Sequence, residues 1–301
     1  MSIRFDDQVA IVTGAGGGLG KEHALGLARR GAKVVVNDLG GGVDGSGASD
    51  AAKAVVDQII SEGGEAIANG ASVTDLEAVQ AMVQEAKEKW GRVDILVNNA
   101  GVLRDRTLYN MEESDWDAIM AVHLKGHFNC TQPFVRYIRE TNRLNCRIIN
   151  MSSVSGLIGN FGQTNYGAAK AGIAGFSRSL SMEMAKYKCT VNTISPGAAT
   201  RLTIDLMKAA GRDVDPNDWS QGPQQIAPII AWICSDEANE ITNQIFHISS
   251  GTVGIMQQPA VIKSFKSDEL WSMEQLNQLM PELVEAKKAH DKEVEEKGKP
   301  S

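Results

Sequence analysis

Residues 8–30 constrain the fold more than any other stretch. Gln8-Val9-Ala10-Ile11-Val12-Thr13 is a short apolar, β-branched run that leads into Gly14-Ala15-Gly16-Gly17-Gly18-Leu19-Gly20 and then a helix-like stretch to Arg30. A strand, a glycine turn and a helix in that order form the first half of a βαβ unit. Glycines at 14, 18 and 20 leave no Cβ in the turn. Backbone N–H groups and the helix N-terminus can therefore approach a pyrophosphate. The spacing Thr-Gly-x-x-x-Gly-x-Gly departs from the Gly-x-Gly-x-x-Gly form, so the strand–turn–helix context carries the assignment.

The same alternation continues along the chain. Strands are expected near 8–13, 33–37, 65–69, 93–98, 146–151, 189–195 and 244–249, with helix-like runs between them. That order predicts an α/β fold with a doubly wound, Rossmann-type parallel sheet of about seven strands covered on both faces. A chain of 301 residues with 43% apolar and 22% charged residues is enough for one large domain. We place that domain at 1–255 and a helical extension at 256–301. Residues 272–297 carry Met273, Leu276, Leu279, Met280, Leu283 and Ala286 at helical spacing, and the charged end at 291–301 is expected to fray.

Local signals fill in the frame. The second strand ends in Asp38, about twenty residues after the glycines, where a carboxylate suits paired ribose hydroxyls and repels a 2′-phosphate. The glycine-rich residues 39–49 are long for a βα loop, which leaves a border to the adenosine end of the cofactor or a solvated insertion as the two readings. Thr74-Asp75-Leu76-Glu77 matches a capping box, and Ser114-Asp115-Trp116-Asp117 repeats the offset. Residues 198–222, with Gly211, Pro216 and Gly222, show little periodicity and are expected to form a lid.

The chemistry is expected in residues 148–170. Tyr166 and Lys170 lie four apart, which on a helix brings a phenol and an ammonium together. A free phenol titrates near pH 10, and a nearby cation in a dry cleft is expected to lower that value enough for Tyr166 to act as a base. Ser153, thirteen residues earlier at the end of an apolar run, offers a hydroxyl to the substrate oxygen.

Together these residues resemble the short-chain dehydrogenase/reductase family. Thr13, the glycines through Gly20, Asn98-Asn99-Ala100-Gly101, Ser153, Tyr166, Lys170 and Ser195-Pro196-Gly197 stand in the family's order over about residues 5–255. The motifs Val34-Val35-Val36-Asn37-Asp38-Leu39-Gly40-Gly41, Leu103-Arg104-Asp105-Arg106, Val122-His123-Leu124-Lys125-Gly126 and Gly159-Asn160-Phe161-Gly162-Gln163 resemble more narrowly the (3R)-hydroxyacyl-CoA dehydrogenases of peroxisomal multifunctional enzymes, also described as 17β-hydroxysteroid dehydrogenases.

The resemblance implies an NAD-linked oxidoreductase with catalytic Ser153, Tyr166 and Lys170. It places the cofactor on Gly14, Gly18, Leu19, Gly20, Asp38, Asn99, Ala100, Gly101, Tyr166, Lys170 and Pro196. Three positions depart from the family pattern. Ser72-Val73 stands where an Asp-Val pair usually lines the adenine pocket. His123 replaces an Asn that supports a water relay to the Lys, leaving relay member or packed core histidine as its two readings. Ala198-Ala199-Thr200-Arg201-Leu202-Thr203 leaves Thr200 and Thr203 as rival contacts to the nicotinamide. The small residues Gly167, Ala168, Ala169, Ala171, Gly172, Ala174 and Gly175, on a helix that often lies at a subunit interface in the family, imply a homodimer or homotetramer.

Other function classes are disfavoured. A net charge of −7 without a basic stripe argues against nucleic acid, and no 18-residue apolar run argues for a membrane partner. Cys130, Cys146, Cys189 and Cys234 are widely separated, without metal-ligand spacing, so no metal and a reducing cytoplasmic location are expected. The last residues are not Ser-Lys-Leu, and neither a hydratase nor a lipid-carrier domain is expected within 301 residues. The resemblance implies a small-molecule substrate, an acyl-CoA or a steroid. Arg104, Arg106 and Arg201 are the cations expected to meet CoA phosphates, with local loop organisation as the alternative. An NADPH-linked reductase is the rival enzyme, and a non-catalytic cofactor-binding regulator is the rival from another class.

Overall fold

The computed structural model describes residues 3–41, 50–200, 203, 204, 208, 211, 214, 215 and 218–297. It divides into two compact units, residues 1–256 and 257–301.

The first unit is built on one sheet. Its strands are β1 (Val9–Thr13), β2 (Lys33–Asn37), β3 (Ala66–Asn69), β4 (Ile95–Asn98), β5 (Arg147–Met151), β6 (Thr190–Gly197), β7 (Ile245–Ser249) and β8 (Thr252–Ile255). They lie in the order β3-β2-β1-β4-β5-β6-β7-β8. All pairs are parallel except β7 with β8. All seven expected strands form; the eighth, a hairpin return at the edge, is additional. It turns at Ser250 and Gly251, both at positive φ, and lacks the long apolar run that marks the buried strands.

Alternation along the strands fills two cores. Ala10, Val12, Val34 and Val36 face one side with Phe5, Leu25, Ile59 and Phe246. Val9, Ile11 and Val35 face the other with Met82, Phe134 and Ile138. Burial on both faces explains why these strands read as continuous apolar runs.

The helices are α1 (Gly18–Ala28), α2 (Ala51–Ser61), α3 (Leu76–Trp90), α4 (Glu113–Ile119), α5 (Gly126–Thr141), α6 (Val154–Leu157), α7 (Thr164–Met184) and α8 (Ala227–Cys234). Two expected caps move by one or two residues. The cap of α3 is Asp75 rather than Thr74, with the Asp75 carboxylate accepting from the amides of Glu77 and Ala78. Helix α4 starts at Glu113, with Glu112 and Asp115 forming the reciprocal cap.

Because the order reverses at β1, the loops after β1 and β4 diverge and open a crevice at the carboxyl ends of the strands. In the second unit α9 spans Met273–Lys297, capped where Ser272 Oγ accepts from the Gln275 amide. Residues 291–297 are thus helical, not frayed, and Lys287 pairs with Asp291 across one turn. No helix among the described residues is long and apolar enough to cross a membrane.

Candidate active site

A cavity of about 610 Å³ occupies the crevice. One end is made almost entirely of backbone. Gly14 sits at φ +63°, and a Cβ there would lie 2.7 Å from Ala100 Cα. A Cβ on Gly20 would meet the Gly14 carbonyl at 2.2 Å. Gly20 does not line the cavity; it lets α1 approach the turn, while Gly16 and Gly17, absent from the expected set, do line it. A Cβ on Gly17 would meet nothing within 4 Å, and no side chain caps the first turn of α1. Open space before uncapped amides at a helix N-terminus fits a bound phosphate.

Asp38 fixes the shape of this end. Its Oδ2 accepts from the Gly16 amide at 2.8 Å and its Oδ1 from the Gly40 amide at 2.7 Å. Asn99 works from behind: its Nδ2 donates to the Thr13 and Gly14 carbonyls, and its own amide and that of Ala100 donate to Thr13 Oγ1. Ser72 and Val73 line the cavity as expected, with the Ser72 and Thr74 hydroxyls 2.8 Å apart. Leu39 and Gly41 also line it; residues 42–49 lie outside the described residues.

Leu19, Asn99, Ala100, Gly101, Pro196 and Thr200 all reach the cavity. Thr203 lines it too: its Oγ1 donates to the Ala198 carbonyl at 2.6 Å and lies 3.2 Å from Thr200 Oγ1, while the Thr200 side chain faces Gly18. Arg201 lies outside the described residues, as do Pro216 and much of the expected lid.

The other end gathers titratable side chains. Ser153 sits at the N-cap of α6, while Tyr166 and Lys170 project from α7. All three line the cavity. The Lys170 Nζ is 5.4 Å from the Tyr166 ring centroid and donates to the Met151 carbonyl at 2.6 Å. Burial lowers the Lys170 pKa to about 7. Burial also pushes the Tyr166 phenol up to about 12, with a Ser153 hydrogen bond opposing the rise and the Asp105 charge adding to it. The expected lowering of the phenol by the lysine is thus not seen. Loss of water around the phenolate dominates, and the ammonium is itself poorly solvated.

His123 lies in a π-helical segment, Met120–Lys125, between α4 and α5. Its Nε2 is 2.8 Å from the Val102 carbonyl, and its ring packs edge-on against Tyr166 at 5.1 Å. Burial and the nearby Lys170 hold its pKa well below the usual histidine value, so the ring stays neutral at physiological pH. Gly101 is required beside it, since a Cβ would fall 2.5 Å from His123 Cε1.

The arginines expected to face CoA turn elsewhere. Arg106 Nε lies 2.9 Å from Asp115 and Arg104 lies 3.7 Å from the same buried carboxylate. Asp105, which stands between them in sequence, accepts from Gln163 instead. Ser155, Asn160 and Gln163 also line the reacting end, and the expected set missed them. Their signal was the Gly159-Asn160-Phe161-Gly162-Gln163 motif, whose geometry depends on a backbone bridge between Arg106 and Gln163. Among the described residues, no cluster of His, Cys, Asp and Glu could hold a metal.

Comparison with known proteins agrees with this geometry. The family model for short chain dehydrogenase matches residues 8–209. The chain is 48% identical over 239 residues to peroxisomal multifunctional enzyme type 2 of Drosophila melanogaster, covering 79% of this chain and 38% of that enzyme. It thus spans well under half the length of that multifunctional relative. It is 36% identical over 271 residues to a hydroxyacyl-CoA dehydrogenase of Mycobacterium tuberculosis, covering 87% of this chain and 83% of the relative. A crystal structure of a short chain dehydrogenase from Mycobacterium avium superposes with a TM-score of 0.83 at 40% identity, over 93% of this chain and 96% of the other.

Proposed function

Because the chain belongs to the short-chain dehydrogenase family, we propose that it is an NAD-dependent oxidoreductase that interconverts a secondary alcohol and a ketone on a bulky apolar substrate. The observation that carries this reading is one cavity with the glycine turn and Asp38 at one end and Ser153, Tyr166 and Lys170 at the other. When bound, a nicotinamide cofactor would supply the hydride acceptor for the alcohol carbon, or the hydride donor for the carbonyl carbon.

Gly14, Gly18, Leu19 and the N-terminus of α1 would hold the cofactor's pyrophosphate, with Gly20 shaping the turn. Asp38 would hold the adenosine ribose and exclude a 2′-phosphate. Ser72 and Val73 would flank the adenine, Asn99, Ala100 and Gly101 the middle, and Pro196 and Thr200 the nicotinamide. Tyr166 and Lys170 would border the nicotinamide ribose.

Ser153 orients the substrate oxygen. Tyr166 gives a proton to that oxygen during reduction or removes one during oxidation. A phenol near 12 is protonated at rest, so the free site is set to donate. Lys170, near 7, exists in both protonation states close to neutral pH and passes the proton onward. His123, held neutral, serves as a fixed wall beside the phenol rather than as a titrating relay.

The substrate assigned is a (3R)-hydroxyacyl-CoA or CoA-linked steroid, on the strength of the hydroxyacyl-CoA dehydrogenase relative; a free 17β-hydroxysteroid is the second reading, favoured by the commitment of Arg104 and Arg106 to Asp115. Comparing kcat/KM with NAD for a (3R)-3-hydroxyacyl-CoA and for estradiol or testosterone, in wild type and Arg104→Ala, tests the choice. The thioester is expected to win. A strong steroid preference overturns the CoA reading, and no NADH from any of them leaves a non-catalytic binder.

We assign a homodimer or homotetramer. Gly167 and Gly172 are used within the chain, against Ser155 and Leu124, whereas Ala168 and Ala171 stay exposed on α7 for a partner. All four cysteines are buried and unbridged, which suits a reducing cytoplasm; the peroxisomal name of the Drosophila relative marks the peroxisome as the competing location.

A further inference from the structure

We propose that Gln163 is the positioning residue for Ser153, acting through Ser155. The inference rests on Ser153 and Tyr166 being the reacting pair. Gln163 is buried just ahead of α7, and the Arg106–Gln163 bridge brings the 103–106 loop against it. Its Nε2 donates to Asp105 Oδ2 at 2.7 Å. A carboxylate oxygen is an acceptor, so the amide nitrogen faces Asp105 and the amide oxygen faces the cavity. There Oε1 takes the Ser155 hydroxyl at 2.7 Å and Asn160 Nδ2 at 2.9 Å.

The sense of each remaining bond follows. With its one proton given to Gln163, Ser155 Oγ faces Ser153 as an acceptor, at 3.3 Å. The Ser155 amide donates to Ser153 Oγ at 3.2 Å. Ser153 Oγ is therefore held through two bonds by Ser155, alongside its hydrogen bond with Tyr166. Both bonds are long for their kind, so a substrate oxygen can take the Ser153 proton without breaking a strong bond. The array keeps the reacting oxygen in place yet leaves its proton available.

Asp105 adds charge to geometry. Its Oδ1 is buried without a hydrogen-bond partner, and burial raises its pKa. The charged and titratable groups around Tyr166 are Asp105 from the 103–106 loop, Lys170 from its own helix and His123 from the π-helical segment; Arg104 and Arg106 pair with Asp115. Of these, Asp105 opposes ionisation of the phenol.

A double-mutant cycle tests the proposal, with wild-type turnover on the thioester and steroid panel testing the reacting pair separately. Gln163→Leu is expected to lower kcat about tenfold, with NAD affinity within about twofold of wild type. In a Ser155→Ala background the same change is expected to cost less than about twofold, because the link is already cut. Equal costs in both backgrounds or a matching loss of NAD affinity would overturn it. Should Gln163→Leu fail to fold, Ser155→Ala and Ser155→Thr decide: a loss restored by the threonine hydroxyl supports the link, and equal turnover refutes it.

Discussion

The two ends of the cavity are made of different materials. The end at residues 14–20 is backbone, glycine and one carboxylate whose oxygens are both satisfied by main-chain amides. The reacting end is side chains, several of them buried and shifted from their ordinary ionisation. A backbone cradle recognises by shape and fixed dipoles, which change little with pH. A buried cluster works by the balance between lost hydration and nearby charge, and that balance can be moved by one substitution. Selection of the cofactor and reactivity toward the substrate are therefore expected to be separable.

Tyr166→Phe is the largest test of that separation. It removes the ionisable oxygen while the ring keeps its place beside His123, so turnover is expected to fall about a thousandfold or more. NAD binding by calorimetry is expected to stay near wild type. If binding falls in step with turnover, the two ends are not independent.

Asp38→Ala probes the opposite end. Removing the carboxylate is expected to narrow the preference for NAD over NADP by about tenfold and to leave the shape of the pH–rate profile alone. Equal affinities for the two cofactors in the wild type would remove Asp38 from its assigned role.

His123→Asn sharpens the boundary between them. The imidazole stays neutral because its pKa is held well below the usual value, so no ionisation of its own is expected near neutral pH. The ionisation near 7 belongs to Lys170, cationic below that value and neutral above it. The variant is expected to keep that limb, while losing about 1–2 kcal/mol of stability from the Val102 bond and the ring contact with Tyr166. Loss of the limb would return His123 to the proton relay.

What could be read from the chain alone was whatever depends on local spacing. β-branched runs at regular intervals fixed seven strands, since apolar residues buried on both faces must recur along each of them. Glycines at 14, 18 and 20 marked the turn, because only residues without a Cβ survive approaches as close as that of Gly20 to Gly14. The four-residue step from Tyr166 to Lys170 put both on one helix face. Tertiary structure decided the rest. Whether Arg104 and Arg106 face solvent or Asp115, whether Asp105 meets an arginine or Gln163, and whether the phenol rises or falls all depend on groups far apart in sequence. Desolvation and long-range hydrogen bonds are set by what packs around a residue, and a spacing pattern carries no record of that.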